Sequence, residues 1–353
     1  MTIKKICLIT FSNNADHQNT VYSMFNVLYP KYDVYTIGII NPKTNIAPHT
    51  NNNFYVKCPD RPGIEKGTFD FKELYRIKQF IDKNDIDVIY FESQHIWNMF
   101  IMLICANRKK VVAVHDVIPH DGNKAMVLAN YITCHLANAV ILRNYMFKGE
   151  LSAKYKIKPE KITCFELWRD YPNKTDLIYS NEFLYFGRIR KYKGFDLFAK
   201  IIEKTPNINY RIVGAADKES KYLIDYVKSF KNVSILDKEV SDSQMIDEFK
   251  KADWILLPYS SATQSGVITD AYRYSRPVIA FNVGAICEQV VDGETGFLIS
   301  PNNIEEFANK IIEVSKYSKE TLKEFSENSY AFGYEKYSAE YLSNKFFQFI
   351  QSL

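Results

Sequence analysis

The sequence predicts an α/β protein built from two Rossmann-like, doubly wound parallel-sheet domains. Short apolar, β-prone runs alternate with segments of helical period along nearly the whole chain. This alternation is typical of a parallel sheet covered by helices on both faces. It is interrupted once and then restarts, and at 353 residues the chain is longer than one ordinary core organises. These observations together predict two domains.

The order of the elements gives the domain boundaries. Strands of the first domain are predicted at residues 6–10, 34–39, 54–58, 88–91, 111–115, 139–142 and 162–165. Helices are predicted between them because apolar residues recur at three- and four-residue intervals, as in 71–82 and 124–134. Residues 167–181 are polar and without a clear period, which predicts a linker. Strands resume at 183–186, 210–213, 233–236, 254–257, 278–281 and 296–299. We therefore expect an N-terminal domain over 1–166, a C-terminal domain over 182–335, and a final helix over 336–353 that packs back on the first domain.

Composition excludes several classes of protein. Hydrophobic residues make up 46% and charged residues 24% of the chain, as in soluble globular proteins. The net charge of +4 is too small to favour a nucleic-acid binder. The six cysteines include no CxxC pair, which favours buried free thiols over disulfides or zinc. The first residues lead into a strand and not into a signal peptide, so we expect a cytoplasmic protein.

One apolar segment, residues 97–106, bears on membrane contact. It is about half as long as a bilayer-spanning helix, and it precedes the basic run Asn107-Arg108-Lys109-Lys110. We expect a buried helix with a solvated end. The alternative is a peripheral contact with the inner face of the cell membrane.

The first motif with chemical meaning follows the strand at 183–186. That strand delivers Gly187-Arg188, and Lys193-Gly194 comes just before a helix. Arg188 and Lys193 are predicted to bring two positive charges to a helix N-terminus, where they would stabilise a departing diphosphate without a metal. The alternative is a solvated basic turn. A nicotinamide dehydrogenase is disfavoured, because the loop after the first strand, residues 11–16, has no glycine.

A second anion site is predicted after the strand at 254–257. The stretch Thr263-Gln264-Ser265-Gly266-Val267 is small and polar, and Gly266 opens a helix. Backbone amides at a helix start, together with the Ser265 hydroxyl, form a cradle for an anion. The alternative is an ordinary N-cap by Ser265.

In the first half, the strand at 111–115 runs into His115-Asp116, with His120 and Asp121 close behind. We expect His115 to lie at the ligand crevice, since that crevice forms at the carboxyl ends of parallel strands. The alternatives are a structural histidine or a metal site. Residues 92–95 (Glu-Ser-Gln-His) follow the strand at 88–91 at the same edge of the sheet. We expect them to contact an acceptor, meaning the substrate that receives a transferred group.

In combination these motifs resemble glycosyltransferase family 4, a retaining family with the GT-B fold. The resemblance covers most of residues 183–300 and is carried by Gly187-Arg188, Lys193-Gly194, Val213-Gly214, Leu257-Pro258-Tyr259, the Thr-Gln-Ser-Gly stretch, Arg276-Pro277, Val283-Gly284 and Gly293-Glu294-Thr295-Gly296.

The resemblance implies that the two domains face a central crevice, with a nucleotide-sugar donor on the C-terminal domain and a saccharide or lipid-linked acceptor on the N-terminal domain. It implies retaining, metal-independent transfer of a hexosyl group with no cofactor. The expected donor is a UDP-sugar, with a GDP-sugar as the alternative, and the expected setting is bacterial capsule or lipopolysaccharide synthesis. Arg188 and Lys193 would hold the diphosphate, with Gly187 and residues 263–267 around it, and His115 would approach the donor sugar.

The sequence departs from the common family pattern at its two glutamates. Their positions fall on Ala262 and Asp270. We expect Asp270 to serve the ribose hydroxyls, and Thr263, Gln264 and backbone amides to replace the missing glutamate. Three rivals remain at this stage: a sugar-nucleotide epimerase, an inverting transferase, and a catalytically silent sugar-binding or scaffold subunit.

Overall fold

The structure is a computed structural model that describes residues 4–39, 50–58, 66–115, 117, 124–174 and 179–353. The chain divides into two compact units. The first comprises Met1–Asp170 with Tyr337–Leu353, and the second comprises Tyr171–Lys336. Each unit has a parallel sheet with helices between its strands, which confirms the predicted fold class.

The first unit is built on a seven-stranded sheet. Its strands are β1 Ile6–Ile9, β2 Val34–Ile39, β3 Asn53–Val56, β4 Val88–Phe91, β5 Lys109–Val114, β6 Ala139–Leu142 and β7 Ile162–Cys164. Its helices are α1 Ala15–Leu28, α2 Phe71–Lys83, α3 Ile96–Ile104, α4 Lys124–Leu136 and α5 Lys148–Tyr155. The sheet order is β3-β2-β1-β4-β5-β6-β7, with every pairing parallel.

Alternate residues of the strands β1, β4, β5 and β6 enter two separate hydrophobic cores, one on each face of the sheet. Cys7 and Ile9 lie in one core, and Ile6 and Leu8 lie in the other. Because both faces are covered, the strands appear in the sequence as continuous apolar runs.

The second unit has a six-stranded sheet. Its strands are β8 Glu182–Phe186, β9 Asn209–Val213, β10 Val233–Leu236, β11 Trp254–Leu257, β12 Val278–Phe281 and β13 Gly296–Ile299. Its helices are α6 Phe195–Lys204, α7 Lys221–Val227, α8 Asp242–Lys251, α9 Gly266–Arg273, α10 Ile304–Val314 and α11 Lys319–Tyr337. The parallel order is β10-β9-β8-β11-β12-β13. Each predicted strand of both units is present, with ends that differ by at most two residues.

The final helix, α12 Ala339–Ser352, belongs to the first unit. Phe346 packs edge-on against Tyr90, Phe165 and Trp168, with ring centroids 5.4–5.7 Å apart. A short parallel bridge joins Arg169 to Ser338 just before the helix.

The predicted linker is partly wrong, because its first residues are core residues. Leu167, Trp168 and Arg169 are buried. The Arg169 amide donates to Tyr337 O at 2.9 Å, and the Ala339 amide donates back to Arg169 O at 2.9 Å. The polar composition of residues 167–181 therefore conceals an element of the first unit that pairs with a segment far along the chain.

Two further expectations concern the cysteines and the membrane. Within the described part of the chain the cysteines are free thiols; Cys7, Cys105, Cys134 and Cys164 are buried, and Cys58 and Cys287 are half-buried. Over the same residues, no helix combines the length and the apolar character needed to cross a bilayer.

Candidate functional site

The sheet of the second unit has one point where the strand order reverses, between β8 and β11. These two parallel strands are neighbours, and the loops that follow them are residues 187–194 and 258–265. In open α/β sheets the ligand crevice lies outside the carboxyl ends of the strands at such a reversal. Both stretches that the sequence singled out follow this pair of strands.

The loop after β8, which we call the basic turn (residues 187–194), folds tightly back to the start of α6. The Gly187 amide donates to Val213 O at 2.9 Å, so the turn first continues the sheet. Lys191–Lys193 then form a short 3₁₀ helix. Gly194 has φ +63° and ends this helix, and α6 begins at the next residue.

The Lys193 ammonium lies at Gly187 in the basic turn, close to the start of α9, so the two predicted anion sites are adjacent. A Cβ built on Gly187 would lie 2.9 Å from Lys193 Nζ and 3.7 Å from Val267 Cγ2, at the start of α9. The ammonium also lies 5.1 Å from the centroid of the Tyr259 ring. Glycine is favoured at 187 because φ is +109°, and a side chain there would also shift the end of the Lys193 side chain.

Arg188 is placed differently from Lys193. Its Nη2 lies 3.6 Å from Glu239 Oε1, in the loop after β10, and both side chains are more than half exposed. Such a pair contributes little to stability. The sequence predicted that Arg188 and Lys193 converge; the structure brings Lys193 to Gly187 and Val267 and pairs Arg188 with Glu239.

The loop after β11 is tied to the basic turn by its backbone. The Ser260 and Ser261 amides both donate to Tyr192 O, at 3.0 and 3.4 Å. Pro258 O approaches Gly194 so closely that a Cβ there would be 1.7 Å from it. Glycine is therefore favoured at 194 for two reasons: the backbone is left-handed there, and the close contact between the loops leaves no room for a Cβ atom.

The start of α9 carries a buried hydroxyl at Ser265. Ser265 is the N-cap residue with extended φ and ψ, yet its side chain makes no capping hydrogen bond within the part of the chain described. Its Oγ is buried and has no partner among the same residues. The ordinary N-cap that the sequence left open is therefore absent, and a buried hydroxyl of this kind needs an explanation.

Gln289 is a site residue that the sequence did not indicate. The Ser265 amide donates to Gln289 Oε1 at 2.7 Å, and Gln289 Nε2 donates to Ser265 O at 3.1 Å. The buried Gln289 side chain thus pairs with the backbone just before α9, as a peptide group of a neighbouring strand would. No local pattern signals this role, because the two residues are 24 positions apart.

Replacement of Gln289 by Met is expected to lower the free energy of unfolding by about 1–3 kcal/mol, because two buried backbone groups of Ser265 lose their partners. Urea unfolding measures this loss. Gln289→Glu keeps the acceptor for the amide but sets a buried carboxylate oxygen against Ser265 O, so it should also destabilise the fold. A Met variant as stable as wild type would contradict this assignment.

The remaining predicted residues of this site lie around the same loop. Ala262 and Thr263 are buried, and Gln264 is half-buried. Asp270 is buried on α9, four residues after Gly266 and so on the same helix face. Their roles toward a sugar or a ribose stay predictions.

The first unit also reverses its strand order, between β1 and β4. His115 follows β5 and is half-buried. Its Nε2 lies 2.7 Å from Glu92 O and 3.0 Å from Glu92 Oε1. The His17 ring, in the first turn of α1, lies 4.3 Å from the His115 ring.

Glu92 is not placed to meet an acceptor, which corrects the expectation for that residue; for Gln94, which is half-buried, the expectation stays a prediction. Glu92 is fully buried and forms an ion pair with Arg143, which follows β6. Ser93 lies 3.3 Å from Thr10 Oγ1, and His95 accepts from the Trp97 amide at the start of α3. Glu92, Ser93 and His95 are therefore buried by contacts with other parts of the unit.

Three residues of the predicted His-Asp cluster cannot be placed, because Asp116, His120 and Asp121 lie outside the described residues. Over the residues that are described, no three His, Cys, Asp or Glu side chains form a group suited to a metal. In the basic run after α3, Lys110 is buried and donates to Ala106 O, and Arg108 lies 3.6 Å from Asp82. That run exposes less charge than its sequence indicates.

Residues of the second unit match a known family model, and longer stretches of the chain resemble known proteins. Residues 174–332 match the family model described as Glycosyl transferases group 1. An uncharacterized glycosyltransferase of Methanocaldococcus jannaschii is 26% identical over 234 residues, which cover 60% of this chain and 65% of that protein. An uncharacterized protein in the cps region of Klebsiella pneumoniae is 26% identical over 282 residues, covering 74% of this chain and 72% of the other.

Two further comparisons concern capsule synthesis and the fold. The capsular polysaccharide biosynthesis glycosyltransferase CapM of Staphylococcus aureus is 30% identical over 133 residues, 36% of this chain and 34% of its own length. The crystal structure of Anabaena HepE in complex with UDP superposes with a TM-score of 0.74, at 16% identity, over 99% of this chain and 100% of that one. The fold is GT-B.

Proposed function

We propose that this chain, whose residues 174–332 carry the glycosyl transferases group 1 match, is a retaining glycosyltransferase. It transfers a hexosyl group from a UDP-sugar, with a GDP-sugar as the alternative, to a saccharide or lipid-linked acceptor in surface polysaccharide synthesis. The cps-region and capsular relatives support this setting by their names, and the UDP complex of HepE supports the choice of nucleotide.

The single observation that carries the proposal is the position of Lys193 beside the start of α9. An ammonium, a helix start without a side-chain cap and a buried hydroxyl without a partner in the described chain come together there. Helix N-termini and fixed cations both stabilise anions. A leaving nucleoside diphosphate gains negative charge as the bond to the sugar breaks, so this arrangement favours the transition state without a metal ion.

For retention of configuration, the first unit argues against a covalent intermediate on Glu92. Among the described residues Glu92 is the carboxylate in contact with His115, and it is buried and ion-paired with Arg143. A carboxylate held in this way is unsuited to attack an anomeric carbon. We therefore expect front-face displacement, in which the acceptor hydroxyl and the leaving diphosphate lie on the same side of the sugar.

The test is a thermal-shift panel with UDP-, GDP-, ADP- and CMP-sugars, followed by NMR of the product. A ligand present at 100 times its Kd stabilises the folded state by about 2.7 kcal/mol. We expect UDP-sugars to give the largest shift and the product to keep the donor's anomeric configuration. An inverted product would overturn retention, and interconversion of sugar nucleotides would identify an epimerase.

Sedimentation with anionic vesicles tests the peripheral membrane contact, for which exposed Leu103 and Ile104 are the candidate residues.

A silent sugar-binding subunit has one observation in its favour, the buried methyl group of Ala262 at the position where the pattern of the resembled family has a glutamate. That reading predicts a thermal shift without transfer to any acceptor. Absence of a shift with every nucleotide-sugar would overturn the donor-site assignment itself.

A further inference from the structure

The core of the first unit holds a charged network that the proposed transfer does not by itself require. Tyr90 lies on β4, Glu92 directly after it, and Arg143 directly after β6, and all three are buried. Arg143 Nη2 donates to Glu92 Oε2 and, at 2.7 Å, contacts Tyr90 Oη. Tyr90 Oη also donates to Glu92 Oε2.

Arg143 also joins the network to the segment that follows β7. Arg143 Nη1 donates to Phe165 O at 3.2 Å and to Glu166 O at 3.1 Å, which fixes the guanidinium against the segment after β7. Buried ion pairs seldom stabilise a fold more than well-packed apolar residues would. A buried pair at the carboxyl edge of the sheet therefore suggests a task other than stability.

Glu92 is ionised in this network. Burial alone would raise the pKa of its carboxyl group, but Arg143 and then His115 outweigh burial and lower the pKa to about 2. Oε2 accepts from Arg143 and Tyr90, and Oε1 lies 3.0 Å from His115 Nε2. Among the described residues the hydrogen bond of His115 Nε2 goes to the Glu92 carbonyl, and Oε1 lies beside it as a charged neighbour without a hydrogen bond of its own.

His115 Nε2 faces two acceptors and no donor in the contacts described, the Glu92 carboxylate and the Glu92 carbonyl at 2.7 Å. A ring nitrogen between two acceptors carries the proton, and in a neutral imidazole the other nitrogen is then an acceptor. The His17 ring, tilted by 37° with its centroid 4.3 Å away, restricts rotation of the imidazole from another side. Burial and the neighbouring His115 lower the pKa of His17 to about 3, so that this ring is neutral.

We propose that Glu92 is the positioning residue for His115. Held by Arg143 and Tyr90, its carboxylate and carbonyl fix the imidazole as the Nε2–H tautomer, which leaves Nδ1 as the ring's acceptor for a hydroxyl donor. The chemical class of its partner is thus a sugar hydroxyl and not a carbonyl or phosphate oxygen. This inference rests on the proposed function only where it says that the hydroxyl belongs to a sugar substrate.

The first measurement needs no substitution. Two-bond ¹H–¹⁵N spectra of protein labelled at its six histidines distinguish the two tautomers, and His115→Asn identifies the His115 signals by their loss. We expect the Nε2–H tautomer near pH 8 without substrate. The Nδ1–H tautomer would overturn the inference, whatever the enzymatic activity proves to be. If the Nε2–H tautomer is found but the protein has no transferase activity, the inference about Glu92 holds and the proposed function is wrong.

The second measurement uses Glu92→Gln. Its amide oxygen is expected to take the place of Oε2, between two donors, so that its NH₂ group faces His115 Nε2. We expect the single tautomer signature to be lost and kcat to fall by about 10²-fold, as misplacement of a reacting group does. Affinity for UDP should be unchanged, because the donor-phosphate residues belong to the second unit. Unchanged kcat with unchanged His115 signals would overturn the inference.

Two further variants separate positioning from stability. Tyr90→Phe removes one donor to Glu92 and keeps the ion pair, so it should shift the His115 signals and kcat in the same direction but less, even if Glu92→Gln does not fold. Asp87→Asn is the matched control, because it makes the same carboxylate-to-amide change just before β4, where Asp87 accepts from the Lys5 amide at 2.8 Å. It should leave the His115 signals and kcat as in wild type. A change in the Asp87 variant equal to that in the Glu92 variant would contradict a specific role for Glu92.

Discussion

Lys193→Met is expected to lower kcat/KM by about 10²–10³-fold, the range seen when one preorganised donor to a developing anion is removed. Methionine keeps most of the aliphatic stem beside Tyr259 but lacks the ammonium that lies over Gly187. The loss should therefore appear in the binding of UDP and in turnover, and little in thermal stability. Steady-state kinetics and calorimetric titration with UDP measure both quantities.

The controls for this prediction come from the same turn. Lys191 is exposed, two residues from Lys193, and Lys191→Met removes an equal charge from the solvated side. It should change kcat/KM little. Arg188→Ala should have an intermediate effect, because its guanidinium is exposed and pairs with Glu239. If Lys193→Met binds UDP as tightly as wild type, the diphosphate does not lie at the basic turn.

Gly194→Ala is expected to destabilise the second unit by at least about 3 kcal/mol. A left-handed conformation alone costs an alanine roughly 1–2 kcal/mol. The larger part comes from the contact with Pro258 O, since a Cβ would stand 1.7 Å from that oxygen and force the two loops apart. In a unit of this size the midpoint temperature should fall by about 6–12 °C, as measured by calorimetry.

Gly293 provides a matched control for backbone strain. Its φ is +78°, and nothing lies within 4 Å of a Cβ built there. Gly293→Ala should therefore lower the free energy of unfolding by the conformational cost alone, about 1–2 kcal/mol. Equal losses in the two alanine variants would contradict a close contact between residues 194 and 258. Weaker UDP binding in Gly194→Ala, below its unfolding temperature, would link that contact to the site.

Much of the fold could be predicted because the relevant signal is local. Parallel strands buried on both faces give uninterrupted apolar runs, and each such run is a strand in the structure. The basic turn and the start of α9 were found for a similar reason. Both follow strands directly, and the carboxyl ends of adjacent parallel strands lie at one edge of the sheet.

The roles of Glu92 and Gln289 could not be predicted because their partners are distant in sequence. Glu92 pairs with Arg143, 51 residues later, and Gln289 with Ser265, 24 residues earlier. Because Glu92 directly follows a strand, its place at the edge of the sheet was predicted correctly. The sequence position could not show whether the carboxylate faces solvent or a buried guanidinium. The linker was misjudged for the same reason, because Trp168 and Arg169 are buried by residues near the end of the chain.

The bridge between Arg169 and Ser338 has a topological consequence. The chain leaves the first unit after Asp170 and re-enters it at Tyr337, and the paired backbones of residues 169 and 337–339 set these two crossings side by side. The second unit is therefore an insertion with adjacent junctions, the arrangement in which domain insertion is most readily tolerated. Exchange of this module between homologous genes would thus leave the sheet of the host unit uncut.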